Sequence, residues 1–163
     1  MSGIPEMKLK PQHGVAMVEF AIALPFLLLI LLAIGEFGRM LYQYNSLLQA
    51  ARDAGRYASD KAWDHTLGKI VLVDAYRNYD LRAETKNVAV YGVPKSSGGT
   101  GPVVPGLGVG NVDVFVSPAN SEHVEVRITF KFSPVVGSSI PAFFGKAIAL
   151  EVPLVASAVM RAL

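Results

Sequence analysis

The chain contains no cysteine, which excludes disulfides, thiolate metal sites and cysteine nucleophiles without fixing the compartment. It contains no run of Lys or Arg. With 15 basic and 13 acidic residues the net charge is only +2, so the electrostatic footprint of a nucleic-acid binder is missing. Its histidines, His13, His65 and His123, stand alone. Ser96-Ser97 and Ser138-Ser139 lack a G-x-S-x-G context. The acidic residues lack the spacing of a calcium loop, and the glycine-rich stretch 92–111 lacks the G-x4-G-K-[ST] pattern of a phosphate-binding loop. No catalytic constellation remains. The expectation is therefore a protein that is not an enzyme, with no cofactor, no metal, no small-molecule substrate and no nucleic-acid partner.

What is present is apolar sequence, unevenly distributed. Of 163 residues, 52% are hydrophobic and the mean hydropathy is +0.38; the surplus lies near the N-terminus. Between Val15 and Ile34 the only charged residue is Glu19. As a helix at about 1.5 Å per residue this segment matches a hydrocarbon core of roughly 30 Å. Lys8 and Lys10 precede it, which by the positive-inside rule places the short N-terminus in the cytoplasm and the rest outside. A cleaved secretory signal would have a shorter, uninterrupted apolar core and a small-x-small cleavage site, and "LLAIGEF" is a poor one. A plain signal anchor has no use for Glu19, since a carboxylate inside hydrocarbon costs about 3 kcal/mol on insertion scales. A third reading has a short hydrophilic leader ending in glycine, then a helix with Glu at the fifth mature position. Gly14 followed by Val15-Ala16-Met17-Val18-Glu19-Phe20 fits it.

The segment "GVAMVEFAIALPFLLLILLAIGEFGR", with its Gly-x4-Glu-Phe start, its Leu-Pro at Pro25 and the later "LLQAARDAGRYAS", resembles the N-terminal region of TadE-like proteins. These are minor pilins or pseudopilins of the tight-adherence (Flp, type IVc) pilus system. The resemblance implies cleavage between Gly14 and Val15 by a prepilin peptidase. It also implies an assembly role for Glu19 and Phe20, and partners among other pilins, pseudopilins and the pilus machinery of the bacterial inner membrane. Cleavage would give Val15 a new α-amino group about one turn from Glu19, and pairing the two replaces an isolated charge in lipid. The bland alternative for Glu19 is snorkelling to the headgroups; for Gly14, an ordinary helix-flanking glycine. Pro25 lacks a backbone N–H, so a kink or a locally melted turn is expected there. The competing reading of the whole chain is an uncleaved single-span envelope protein with a β-rich ligand-binding or sensing domain.

The expected organisation is a leader at 1–14, a transmembrane helix at 15–34, its extracytoplasmic continuation at 35–60 and an α+β domain at 61–163. In the continuation, Met40, Tyr44, Leu47, Leu48, Ala51, Ala54 and Ala58 recur at three- and four-residue spacing and form one small, smooth face, suited to packing under a sheet. A second helix is expected at 66–78, a short strand at 88–91, a long flexible Gly/Pro loop at 92–111, and a turn-rich crossing at 134–147 with Phe143 and Phe144. "VDVFV" (112–116) and "HVEVRITFKF" (123–132) alternate as an antiparallel hairpin with Val124, Val126, Ile128, Phe130 and Phe132 inward. Residues 147–160 read as a strand that Pro153 demotes to an edge or bulges. The fold class is α+β and pilin-like: a long helix, a second helix and an antiparallel sheet of about four strands.

Overall fold

The computed structural model describes residues 13–74, 79–95, 101–135, 139–140, 148–149 and 151–163. The chain divides into two compact units, residues 1–37 and 38–163. Helix α1 runs from His13 to Lys61. After it come the two-residue strands β1 (Trp63–Asp64), β2 (Lys69–Ile70), β3 (Val73–Asp74) and β4 (Tyr79–Asp80), then helix α2 (Leu81–Tyr91). The strands β5 (Val112–Val116), β6 (His123–Phe132), β7 (Ser139–Ile140), β8 (Ile148–Ala149) and β9 (Val152–Arg161) complete the order. The architecture is α+β with two helices among the described residues.

The first unit, as far as described, is the start of α1. From Gly14 to Phe37 no residue is buried. An 18-residue window here reaches a mean hydropathy of 2.7, and by length and composition the helix suffices to cross a membrane.

The second unit has a core. β5, β6 and β9 form one antiparallel sheet in the order β5-β6-β9. The hairpin register places Val114 opposite Val126, and the β6–β9 register places Ile128 opposite Ala156. Alternation puts Val112, Val114, Val124, Val126, Ile128, Phe130, Phe132, Leu154, Ala156 and Ala158 into a buried cluster with Leu47, Ala50, Ala51, Ala54 and Ala58 of α1. The small-residue face of α1 thus packs on its own sheet. At Gly55 a Cβ would lie 3.5 Å from both Ala158 Cβ and Met160 Sδ, so β9 sits in contact with the helix surface there.

Pro153 lies in an edge strand, as its missing N–H demands. Ala162 N–H bonds Glu122 O at 2.8 Å, and pairs alternate along the antiparallel register. The backbone of Pro153, opposite Lys131, therefore points away from β6, and no ladder bond is lost. Glu125 departs from the expected solvent face: it is 8% exposed. It stands opposite Phe115 and Val159, and Arg127 closes over it with a 2.7 Å ion pair while stacking 5.3 Å from the Phe115 ring.

Two expectations need correction. The second helix is α2 at 81–91, not at 66–74 of the expected 66–78, whose last residues, 75–78, lie outside the described ones, and so 88–91 is helical rather than a strand. Residues 66–74 hold turns and short strands. Asp64 Oδ1 accepts from the N–H of Thr66 (2.8 Å) and Leu67 (3.0 Å), and Gly68 takes φ +60, which together close a turn that a helix cannot continue through. In α2, Asp80 caps the N-terminus by accepting from Ala83 N–H at 2.9 Å. Gly92 at φ +74 ends the helix, its N–H bonded to Val88 O. Leu81, Thr85, Val88 and Ala89 are buried at helical spacing, which overrides the strand preference of "VAVY". With that strand gone, the main sheet has three strands among the described residues, and β1–β2, β3–β4 and β7–β8 form separate two-stranded pairs.

In the Gly/Pro loop, described at 92–95 and 101–111, Val104 and Leu107 are 1% and 4% exposed, Val103 N–H bonds Val90 O at 2.8 Å, and Val109–Asn111 form a turn of 3-10 helix. Most of the 1–14 leader, and Phe143 and Phe144, lie outside the described residues.

Candidate processing and assembly site

All five residues singled out in the sequence, Gly14, Val15, Glu19, Phe20 and Pro25, stand on α1 in the first unit. Val15, Val18, Glu19 and Ile22 share one helix face by their spacing of three and four residues, and with Gly14 they line a shallow open groove. Val15 is 71% exposed and Phe20 60%. No described atom lies within 4 Å of where a Gly14 Cβ would be. Neither packing nor a positive φ within the described chain therefore requires glycine at this position.

Glu19 is exposed, and its carboxylate makes no hydrogen bond or ion pair among the described residues. In water that is unremarkable. Along α1 it stands one turn from Val15. α1 stays helical through Pro25, so no turn melts into coil there.

A second polar cluster, in the other unit, escaped the sequence reading. Tyr57 Oη donates to Glu84 Oε2 at 2.6 Å, and Lys61 Nζ donates to Tyr57 Oη at 2.9 Å. The Lys61 ammonium also lies 4.3 Å from the centroid of the same ring. Burial, then the hydrogen bond to Glu84, pushes the Tyr57 hydroxyl above its ordinary pKa. Burial, then the Glu84 charge, does the same to Tyr79, and the bond to Tyr57 raises Lys61. The chain Lys61–Tyr57–Glu84 ties α1 to α2. The only signal in the sequence was Tyr57 and Lys61 four residues apart, which gives no hint of Glu84.

The fold and site together define a class: an apolar helix long enough for a bilayer, carrying one acidic residue near its start and continuing into the core of a small α+β unit. Within that class, residues 14–56 match the family of TadE-like proteins, the family that the N-terminal sequence resembles. No curated protein and no solved structure gives a significant match.

Proposed function

We propose that this chain is a structural assembly protein of a Flp-type pilus, a TadE-like minor pilin or pseudopilin, and not an enzyme. Its apolar helix anchors it in the bacterial inner membrane with the N-terminus cytoplasmic and the α+β unit extracytoplasmic. A prepilin peptidase cleaves between Gly14 and Val15, and the mature chain associates with other pilins and the inner-membrane machinery of the pilus, serving pilus biogenesis and surface adhesion. The observation that carries this reading is the family match over 14–56, which begins at Gly14 itself.

Physical chemistry supplies the role of each residue. The peptidase needs close access to the backbone, and Gly14 leaves the preceding side of the bond without a side chain. Cleavage creates an amine at Val15 that is mostly protonated at neutral pH. Glu19, one turn away, pairs with that amine or with the amine of a neighbouring subunit. The intermolecular pair fixes axial register, because a neighbour shifted by a turn leaves two charges unpaired in lipid. Phe20 extends the apolar contact surface beside it.

Mass spectrometry of the native N-terminus tests the processing step. A chain beginning at Val15 is expected; an intact Met1 points instead to an uncleaved single-span envelope protein with a β-rich binding domain. For the register role, Glu19→Ala is expected to be inserted and cleaved but to fail in assembly. Normal incorporation of that variant into the pilus complex rules the role out.

A further inference from the structure

The end of α1 and the hairpins β1–β2 and β3–β4 surround a hollow of about 290 Å³, wholly within the second unit. Each hairpin brings it one aromatic ring and one carboxylate. Trp63 and Asp64 come from β1; Asp74 and Tyr79, register partners, come from β3 and β4. All four are half-buried, so the fold holds them while each keeps surface in the hollow. Trp63 and Tyr79 pack against the core. Asp64 is fixed by accepting the Thr66 and Leu67 N–H groups. The walls are therefore in place before any ligand arrives.

Size and chemistry narrow what fits. Sites for drug-sized ligands run from about 300 to 1,000 Å³, so this hollow takes one small group rather than a nucleotide. The faces of Trp and Tyr rings attract cations, and two carboxylates add to that attraction. An anion would meet like charges. A neutral apolar group would strip water from the carboxylates and replace none of its hydrogen bonds. No group of three metal-ligating side chains occurs among the described residues, and aromatic walls offer a metal ion no donor. An organic cation, with its charge spread over an apolar surface, meets all of these conditions. Burial, and after it the Glu84 charge, raises the Tyr79 hydroxyl, so a third carboxylate is felt at this wall. Lys61 is the only lysine or arginine lining the hollow. Its ammonium is taken up by Tyr57, 2.9 Å from the hydroxyl and 4.3 Å from the ring centroid. At the rim, then, the chain already holds an ammonium of its own over a tyrosine ring that is hydrogen-bonded to Glu84.

We propose that this hollow binds a small organic ammonium ion between Trp63 and Tyr79, with Asp64 and Asp74 supplying the counter-charge. The inference goes beyond the pilus reading and rests on no part of it, since every residue it uses belongs to the second unit. It gives the folded unit a ligand of its own, separate from the helix residues read as functional.

Trp63 is the only tryptophan, so its emission reports on the hollow directly. The full chain in dodecyl maltoside is titrated with choline, with n-butylammonium and with dimethylbutanol, the neutral carbon isostere of choline. Ionic strength is held constant with sodium chloride. A saturable shift in Trp63 emission is expected with the ammonium ions and not with the isostere; the tighter of the two ions tells a quaternary ligand from a primary amine. Tyr79→Phe keeps the ring and is expected to bind as the parent does. Tyr79→Leu removes the ring and is expected to weaken binding roughly five- to thirty-fold. Asp74→Asn removes a charge and is expected to weaken it several-fold. Circular dichroism checks that each variant is folded. No saturable shift with either ammonium ion, or an equal shift with the isostere, overturns the proposal. So does a folded Asp74→Asn variant that binds as tightly as the parent. Neither result touches the pilus reading, whose tests are the native N-terminus and assembly.

Discussion

Leu24 is the least exposed large apolar side chain between Val15 and Ile34, at 39%, while Leu47, further along the same helix, is fully buried. The two stretches of α1 use opposite composition to opposite ends. The first stretch is bulky and apolar on every face, so no single face can be satisfied by one neighbour, and by length and composition it suffices to cross a membrane. The second carries small residues on one face and Arg52, Asp53 and Arg56 on the others; that face is consumed by the sheet of the same chain. Burial within the chain thus separates what the fold needs from what lies outside it. The residues read as functional, from Gly14 to Pro25, all fall on the side that the fold does not need.

The sharpest way to break this comparison is a matched pair of truncations. Ile128 is fully buried in β6. Ile128→Ala is expected to cost about 2–5 kcal/mol through lost burial and the cavity left behind. Leu28→Ala removes as much side chain from the exposed stretch and is expected to leave the unfolding of the α+β unit unchanged. Trp63, the only tryptophan, packs against the core, so denaturant unfolding in detergent followed by its fluorescence reports on both variants. Equal destabilisation by the two would mean that the exposed stretch supports the fold after all.

A smaller effect of opposite sign is expected inside the second unit. Thr85 is fully buried in α2, and its Oγ1 has no hydrogen-bond partner among the described residues. A buried hydroxyl without a partner carries a desolvation cost of about 1–3 kcal/mol. Valine has nearly the same shape and a similar helix propensity. Thr85→Val is therefore expected to stabilise by about 1 kcal/mol, read as a rise in the denaturation midpoint with an unchanged slope. A loss of stability would show that the hydroxyl has a polar role in the core.

How much of this the sequence disclosed depends on the length over which a pattern holds. The apolar run and the ten-residue alternation of β6 each declare themselves, because many positions vote for one period. The small-residue face of α1 is legible for the same reason. The segment 66–91 is not. Its strands are two residues long, too short to show a period, and "VAVY" has a strand-like composition inside a helix set by Asp80 and Gly92. The burial of Val104 and Leu107 among glycines depends on contacts distant in sequence. At the candidate site, the identities of Gly14, Glu19 and Phe20 were legible as a motif. The hydrogen bond from the Arg39 guanidinium to the Ser133 carbonyl was not, because the two residues lie 94 apart in sequence.

The smallest expected effect is confined to alkaline pH and to the second unit. Tyr57 and Tyr79 are raised from 10.0, and Lys61 from 10.5. A raised pKa means that the folded state holds its proton more tightly than the unfolded state. The stability from these groups is then complete below their ordinary values and is lost as pH rises through the folded ones. Stability linked to this cluster is expected to be flat through neutral pH and to fall only above about pH 10. Tyr57→Phe removes the central hydroxyl, and with it the hydrogen bond that raises Lys61. The variant is expected to lose less stability than the parent across that alkaline window, measured as the change in denaturation midpoint between neutral and alkaline buffer. Parallel curves for the two proteins would assign the alkaline loss to other groups and leave Lys61–Tyr57–Glu84 as a tie between helices with no part in the pH response.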